Sequence, residues 1–122
     1  MIHALRLLLA CLLLAAGWTH AQERFSPFVP SDQENVERML KLAGLRDDDV
    51  VVDLGSGDGR IVMTAARMNR KLRGFGVDID EKLVAEANAV AKTSGIADRV
   101  QFHHRNAYDV DLREATVLAM WL

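Results

Sequence analysis

Between Val50 and Val62 the chain reads VVVDLGSGDGRIV. Its β-branched opening, Val50 to Leu54, suits a strand buried on both faces of a parallel sheet. That run meets an acid, Asp53, and then places glycine at every second position: Gly55, Gly57 and Gly59. A helical pattern follows at once, with Ile61, Val62, Ala65 and Ala66 on one side and an expected end near Asn69. Strand, glycine turn and helix in direct succession are the opening of a βαβ unit.

The flanking sequence repeats the alternation. Upstream, Ser31 or Asp32 can cap a helix, and Glu34 stands three residues after Ser31 as a capping box requires. Val36, Met39, Leu40 and Ala43 recur at helical spacing, and Gly44 is a natural stop. Downstream, GFGVDID predicts a short strand ending at Asp78. Asp80 then caps a helix whose apolar stripe is Leu83, Val84, Ala87, Val90 and Ala91, ended by Gly95. Val100 to His104 predicts a third strand and Thr116 to Leu122 a fourth. The expected fold class is therefore α/β, a Rossmann-like parallel sheet preceded by an N-terminal helix.

Ligands of such sheets bind beyond the carboxyl ends of the strands, where strand order reverses. The loop from Asp53 to Gly59 occupies that position. Glycine there permits backbone angles closed to other residues and removes side chains that would block a ligand. Two ligand classes use such loops. A dinucleotide site has the spacing G-x-G-x-x-G and rests its pyrophosphate on a helix N-terminus. Here the spacing is G-x-G-x-G, and Asp53 and Asp58 add two carboxylates that would repel an anion. S-adenosyl-L-methionine, with an ammonium, a sulfonium and no phosphate, fits better. A glycine turn that merely permits a tight bend is the alternative. Asp78, at the end of the next strand, stands where adenosine ligands place their ribose hydroxyls. Because Asp80 is better placed to cap the following helix, Asp78 is left free for a ligand.

These segments, with RVQFHHRNAYDVDLREATVLAMWL after them, resemble the first motifs of class I S-adenosylmethionine-dependent methyltransferases. FVPSDQENVERML ahead of DLGSGDGRIV narrows the resemblance to small protein-lysine methyltransferases, whose eukaryotic members act on mitochondrial membrane proteins and carry an apolar N-terminal segment. The resemblance runs from Phe28 to Leu122. It implies that Asp53, Gly55 and Gly57 line the methionine end, that Gly59 shapes the turn, and that Asp78 holds the ribose. It also implies that Ile79 lies against the adenine. Asn106 and Ala107 stand where the family usually has Asp-Ala at the adenine edge; an asparagine oxygen can still accept from the exocyclic amine. The substrate implied is a protein lysine. Residues facing the methyl acceptor follow the fourth strand in the family, so no catalytic residue is assigned, and Trp121 is read as a core aromatic before a pocket residue. A nucleotide-binding oxidoreductase fragment of the NAD type and an exported, non-enzymatic remnant of the fold are the competing readings.

The N-terminus pulls in another direction. MIHALRLLLACLLLAAGWTHAQ has one arginine, a short apolar core and a small-x-small site ending at Ala21, the layout of a secretory signal peptide; an uncleaved apolar anchor is the alternative. Residues 22–30 read as a linker holding both prolines, and 31–122 as the cofactor-binding domain. Cys11, the only cysteine, lies in the leader, so disulfide and thiolate chemistry drop out of the mature chain. The leader implies an exported or membrane-associated protein, although S-adenosylmethionine is made in the cytosol. A formal net charge of −2 gives no support for a nucleic-acid-binding surface. His103 and His104 are adjacent on a strand and point to opposite faces, so no metal site is expected. The family's sheet continues past the fourth strand. The chain is therefore expected to be a fragment, poorly soluble or oligomeric alone, with little activity.

Overall fold

In the computed structural model, which describes residues 32–120, the Val50–Leu54 run is a strand with a parallel neighbour on either side. The elements in chain order are α1 (Gln33–Ala43), β1 (Val50–Leu54), α2 (Arg60–Met68), β2 (Arg73–Asp78), α3 (Glu81–Thr93), β3 (Val100–His104), a 3-10 turn at Ala107–Asp109 and β4 (Val117–Met120). The sheet order is β3-β2-β1-β4, parallel throughout. The chain lays β2 and β3 to one side of β1, then crosses back and adds β4 on the other. Strand order thus reverses at β1, and the carboxyl end of β1 lies at the switch point. The Rossmann-like α/β expectation holds over these residues. The leader, Cys11, the linker, Ser31 and Trp121 lie outside them. Among the described residues no helix is long and apolar enough to cross a membrane.

Local chemistry sets the boundaries. Asp32 caps α1: its carboxylate accepts from the Glu34 amide at 3.2 Å, and the Glu34 side chain meets Arg38; the capping box expected between Ser31 and Glu34 lies outside the described residues. Gly44 ends α1 in the left-handed region, with φ 64°. Asp80 caps α3 through the amides of Lys82 and Leu83. That helix stops at Thr93, just before the expected Gly95, with Ser94 as its cap.

Alternation in β1 splits the core in two. Val51 joins Val100 and Phe102 under the buried residues of all three helices. Val52, Leu54 and Val77 face the other way and pack with Phe75, Ala107, Val110 and Ala115. α2 is the central helix of the first layer. Ile61 to Ala66 are all buried, because the sheet lies against one side and α1 against another, with Gln33 Nε2 donating to Thr64 Oγ1 at 3.0 Å. α3 covers the β2–β3 side of the sheet, and its buried stripe is narrower than its sequence predicts. Val84, Ala87 and Ala91 are buried, while Val90 is exposed and Leu83 only half-buried.

Three polar fasteners hold the layers in register. Asn88 of α3 clamps the β3 backbone at Phe102, donating to its carbonyl at 2.8 Å and accepting from its amide at 2.9 Å. The Arg99 guanidinium donates to the carbonyls of Ala66, Asn69 and Leu72, which closes the carboxyl end of α2 onto the start of β3. Thr116 Oγ1 accepts from the Val50 amide and donates to the Asp49 carboxylate, so β4 enters the sheet at a fixed height.

Candidate functional site

The glycine loop sits on the carboxyl ends of β1 and β2. Gly55, Gly57 and Gly59 all have positive φ, of 85°, 55° and 82°. Gly59 meets a second constraint: a Cβ there would lie 2.5 Å from the Phe102 ring, so the start of α2 can approach β3 only without a side chain. Gly76 meets the corresponding constraint from below. A Cβ on it would lie 2.4 Å from Ser56 Cβ and 2.8 Å from Phe102 Cδ1, so the loop rests directly on β2.

Four of the loop's amides are committed within the protein. Those of Gly55 and Ser56 both donate to the Val77 carbonyl at 2.9 Å, and that of Gly59 donates to the Ser56 carbonyl. The Gly57 amide donates to Asp78 Oδ2 at 2.9 Å, while Asp78 Oδ1 accepts from the Asp80 amide at 2.8 Å. A pyrophosphate cradle works by presenting free N–H groups to the anion. This loop has turned those four inward and placed a carboxylate over one of them.

The three acids of the loop region differ in state. Asp58 is tied to the neighbouring Arg60, which donates to it from its backbone amide and its guanidinium. Partial burial opposes ionisation of Asp58, but the Arg60 hydrogen bonds outweigh it and hold the carboxyl below its ordinary range. Its charge is therefore offset within the loop, and the negative field expected from the sequence falls to Asp78, joined by Asp53 only when that acid ionises. Asp53 is 1% exposed, and neither of its carboxylate oxygens has a hydrogen-bond partner among the described residues; nor has the buried Ser56 hydroxyl. Burial first, and then the charge of Asp78, push the Asp53 carboxyl up to about 7. Its strand neighbours are Gly76 and Ala119, which bring no polar side chain.

The remaining sequence-predicted residues border the same end of the sheet. Ile79 follows Asp78, is well exposed, and has its carbonyl 3.1 Å from His104 Nε2. Asn106 Oδ1 accepts from the Tyr108 amide at 3.0 Å and caps the 3-10 turn, which leaves its second lone pair and its amide hydrogens for a ligand. Ala107 packs into the second core cluster. His103 turns away to meet Phe75 edge-on, with ring centres 5.9 Å apart. Among the described residues no three His, Cys, Asp or Glu side chains gather as a metal site. Sequence reasoning passed over Tyr108, which is almost wholly exposed beside Asn106, and Gly76, which seats the loop. The glycine pair flanking Phe75 inside a strand was a usable signal, since strand glycines mark close backbone approach.

An exposed apolar shelf at Ile79, a carboxylate at the end of β2 and a buried acid lacking a donor fit an adenosyl ligand carrying positive charge. The model of the ANTKMT methyltransferase domain matches residues 53–122, from Asp53 through β4. The chain belongs to this family. By descent it falls within the class I S-adenosylmethionine-dependent methyltransferase superfamily. A protein-lysine N-methyltransferase of Saccharolobus islandicus is 41% identical over 96 residues, covering 79% of this chain and 60% of the relative. The adenine nucleotide translocase lysine N-methyltransferase of Mus musculus is 32% identical over 112 residues, covering 91% of this chain and 48% of the relative. The crystal structure of an RNA methyltransferase from Salinibacter ruber, in complex with S-adenosyl-L-homocysteine, matches at 47% identity with a TM-score of 0.74. It covers 77% of this chain and 61% of that one. The chain therefore spans about half to three-fifths of the length of these relatives.

Proposed function

We propose that this chain forms the cofactor-binding part of an S-adenosylmethionine-dependent protein-lysine N-methyltransferase. The observation that carries the reading is the inward-turned glycine loop with Asp53 and Asp78 at the strand ends. A site with four loop amides spent, the Asp78 carboxylate at hand and a second acid that ionises toward a cation offers little to a pyrophosphate and suits a cationic nucleoside. This favours the methyltransferase over the NAD-type alternative, and the relatives named for lysine methylation support a protein substrate.

Within the site, Asp78 would accept from the ribose hydroxyls, and charged acceptors make the stronger hydrogen bonds, about 1.5–3 kcal/mol each. Ile79 would offer an apolar face to the adenine, with Asn106 and Ala107 at its edge. Gly55, Gly57 and Asp53 would border the methionine end, with Gly59 holding α2 close. The cofactor, when bound, supplies a methyl group already activated by its sulfonium. What the protein adds is position, because a nucleophile held in line and about 3 Å away removes several kcal/mol of barrier. We also infer that the apolar leader places the domain at a membrane or outside the cytosol; fractionation of the full chain with and without residues 1–21 tests this.

Calorimetry with the full chain tests the function. S-adenosylhomocysteine is expected to bind and NADH to bind far more weakly; the reverse order would overturn the assignment. Transfer of a labelled methyl group to protein or to RNA in a lysate then identifies the substrate class, with label on protein lysine expected.

A further inference from the structure

Asp53 has an environment that the proposed function does not by itself require. The charged and titratable groups on the neighbouring elements are, apart from Asp78, engaged with other partners. From β2 it faces the Asp78 carboxylate, a like charge already held by the Gly57 and Asp80 amides. From the loop, Asp58 is paired with Arg60 of α2, so that cation is engaged elsewhere. Asp80, at the start of α3, is spent on the amides of Lys82 and Leu83. From β3, His103 lies against Phe75 and His104 against the Ile79 carbonyl, while Phe102 packs under the loop. Its β4 neighbour is Ala119. Among the described residues no donor reaches either Asp53 oxygen, and the buried Ser56 hydroxyl is equally unpartnered.

A carboxylate without a donor, out of water and beside another carboxylate, is costly to keep charged. The uncharged acid is the comfortable form of the empty site. A bound cation reverses the balance, because an opposite charge nearby favours ionisation. From this arrangement we propose that Asp53 couples cofactor binding to release of one proton, so that the site tightens its hold on the adenosyl cofactor as pH rises toward neutrality. The balance is simple. The protonated acid and the cationic ligand combine, the Asp53 O–H bond breaks, and the proton leaves to solvent as the carboxylate faces the ligand's charge. The burial that pushes the Asp53 carboxyl up to about 7 agrees with this. The inference rests on the cofactor reading above, and its test separates the two.

The full chain is titrated with S-adenosylhomocysteine, which keeps the ammonium, from about pH 5.5 to about pH 7, below the range in which an α-amino group titrates. Affinity is expected to rise close to tenfold per pH unit. At the acid end, binding heats in two buffers of different ionisation enthalpy are expected to show nearly one proton released. Asp53→Asn is expected to bind with a flat pH profile and no release. Carbon NMR of the aspartate carboxyls in the unaltered chain gives a reading independent of that variant: one carboxyl is expected to titrate near neutrality when free and to be ionised when bound. Tight binding with a flat profile and buffer-independent heat would overturn the coupling and leave the cofactor assignment standing. Proton release that persists in Asp53→Asn would overturn it too. Absence of binding at every pH would overturn both.

Discussion

Replacing Gly76 by alanine tests whether the seat of the loop, and not backbone freedom in general, governs the site. A Cβ at Gly76 would lie 2.4 Å from Ser56 Cβ, 2.6 Å from Ser56 Oγ and 2.8 Å from Phe102 Cδ1. Separations this short force a shift. Ser56 is held by its amide to the Val77 carbonyl, so its Cβ cannot step aside without straining that hydrogen bond, and the Phe102 ring is buried in the core and has little room to turn. Gly76 lacks a positive φ, so the cost is steric alone, about 1–3 kcal/mol for an overpacked methyl group. Gly95→Ala is the matched control. Its φ of 74° strains alanine, but nothing lies within 4 Å of the new methyl, so it is expected to cost roughly 1–2 kcal/mol for the left-handed backbone. Urea denaturation is expected to show comparable losses for the two variants. Calorimetry with S-adenosylhomocysteine is expected to separate them: Gly76→Ala loses tenfold or more in affinity as the loop is lifted, while Gly95→Ala binds as the parent does. Unaltered binding by Gly76→Ala would refute the argument that β2 positions the loop.

Other outcomes follow from the fasteners and the buried acid. Asn88→Ala strips both hydrogen bonds from Phe102 and is expected to lose about 2–3 kcal/mol by chemical denaturation, with Asn88→Asp also destabilising because it removes the donor to the carbonyl. Arg99→Met keeps the apolar stem but removes a donor from the carbonyls of Ala66, Asn69 and Leu72, of which Asn69's keeps the Leu72 amide; a loss of roughly 2–3 kcal/mol is expected by the same measurement. Because the Asp53 carboxyl is raised to about 7 in the fold from 3.8, the native state binds the extra proton between those values. The ligand-free chain is therefore expected to lose stability as pH rises through that window, by on the order of 4 kcal/mol, with Asp53→Asn flattening the profile.

The sequence carried the scaffold well because its signals are local. Val50–Leu54 announces a two-faced strand by its own composition, Asp80 caps the helix that begins one residue later, and Gly44 stops α1 where its spacing ends. The site was legible only in outline. Asp53, the glycines and Asp78 could be placed at one end of the sheet by spacing. Their condition could not, because it depends on contacts between distant segments. That the loop amides are spent on Val77 and Asp78 is a consequence of β2 lying beside β1. That Asp58 is offset by Arg60 depends on a turn geometry shared by residues two apart, and an acid counted as a free charge in the sequence proved to be a paired one. Asn88 carried a readable hint, a polar residue beside the apolar stripe of α3, but its partner across 14 positions did not. Glu34 meets an exposed arginine one turn later, Arg38, a pair at helical spacing that the sequence offered as readily as a cap.

The crossing back of the chain past β1 also has a kinetic consequence. β1, β2 and β3 can zip together from segments near one another in sequence, whereas seating β4 joins Val50 to Thr116 across 66 positions. Closing so long a span costs entropy before any contact rewards it. The last strand is then the last to dock, after the β1–β2 ends that carry the glycine loop and Asp78 have already come together.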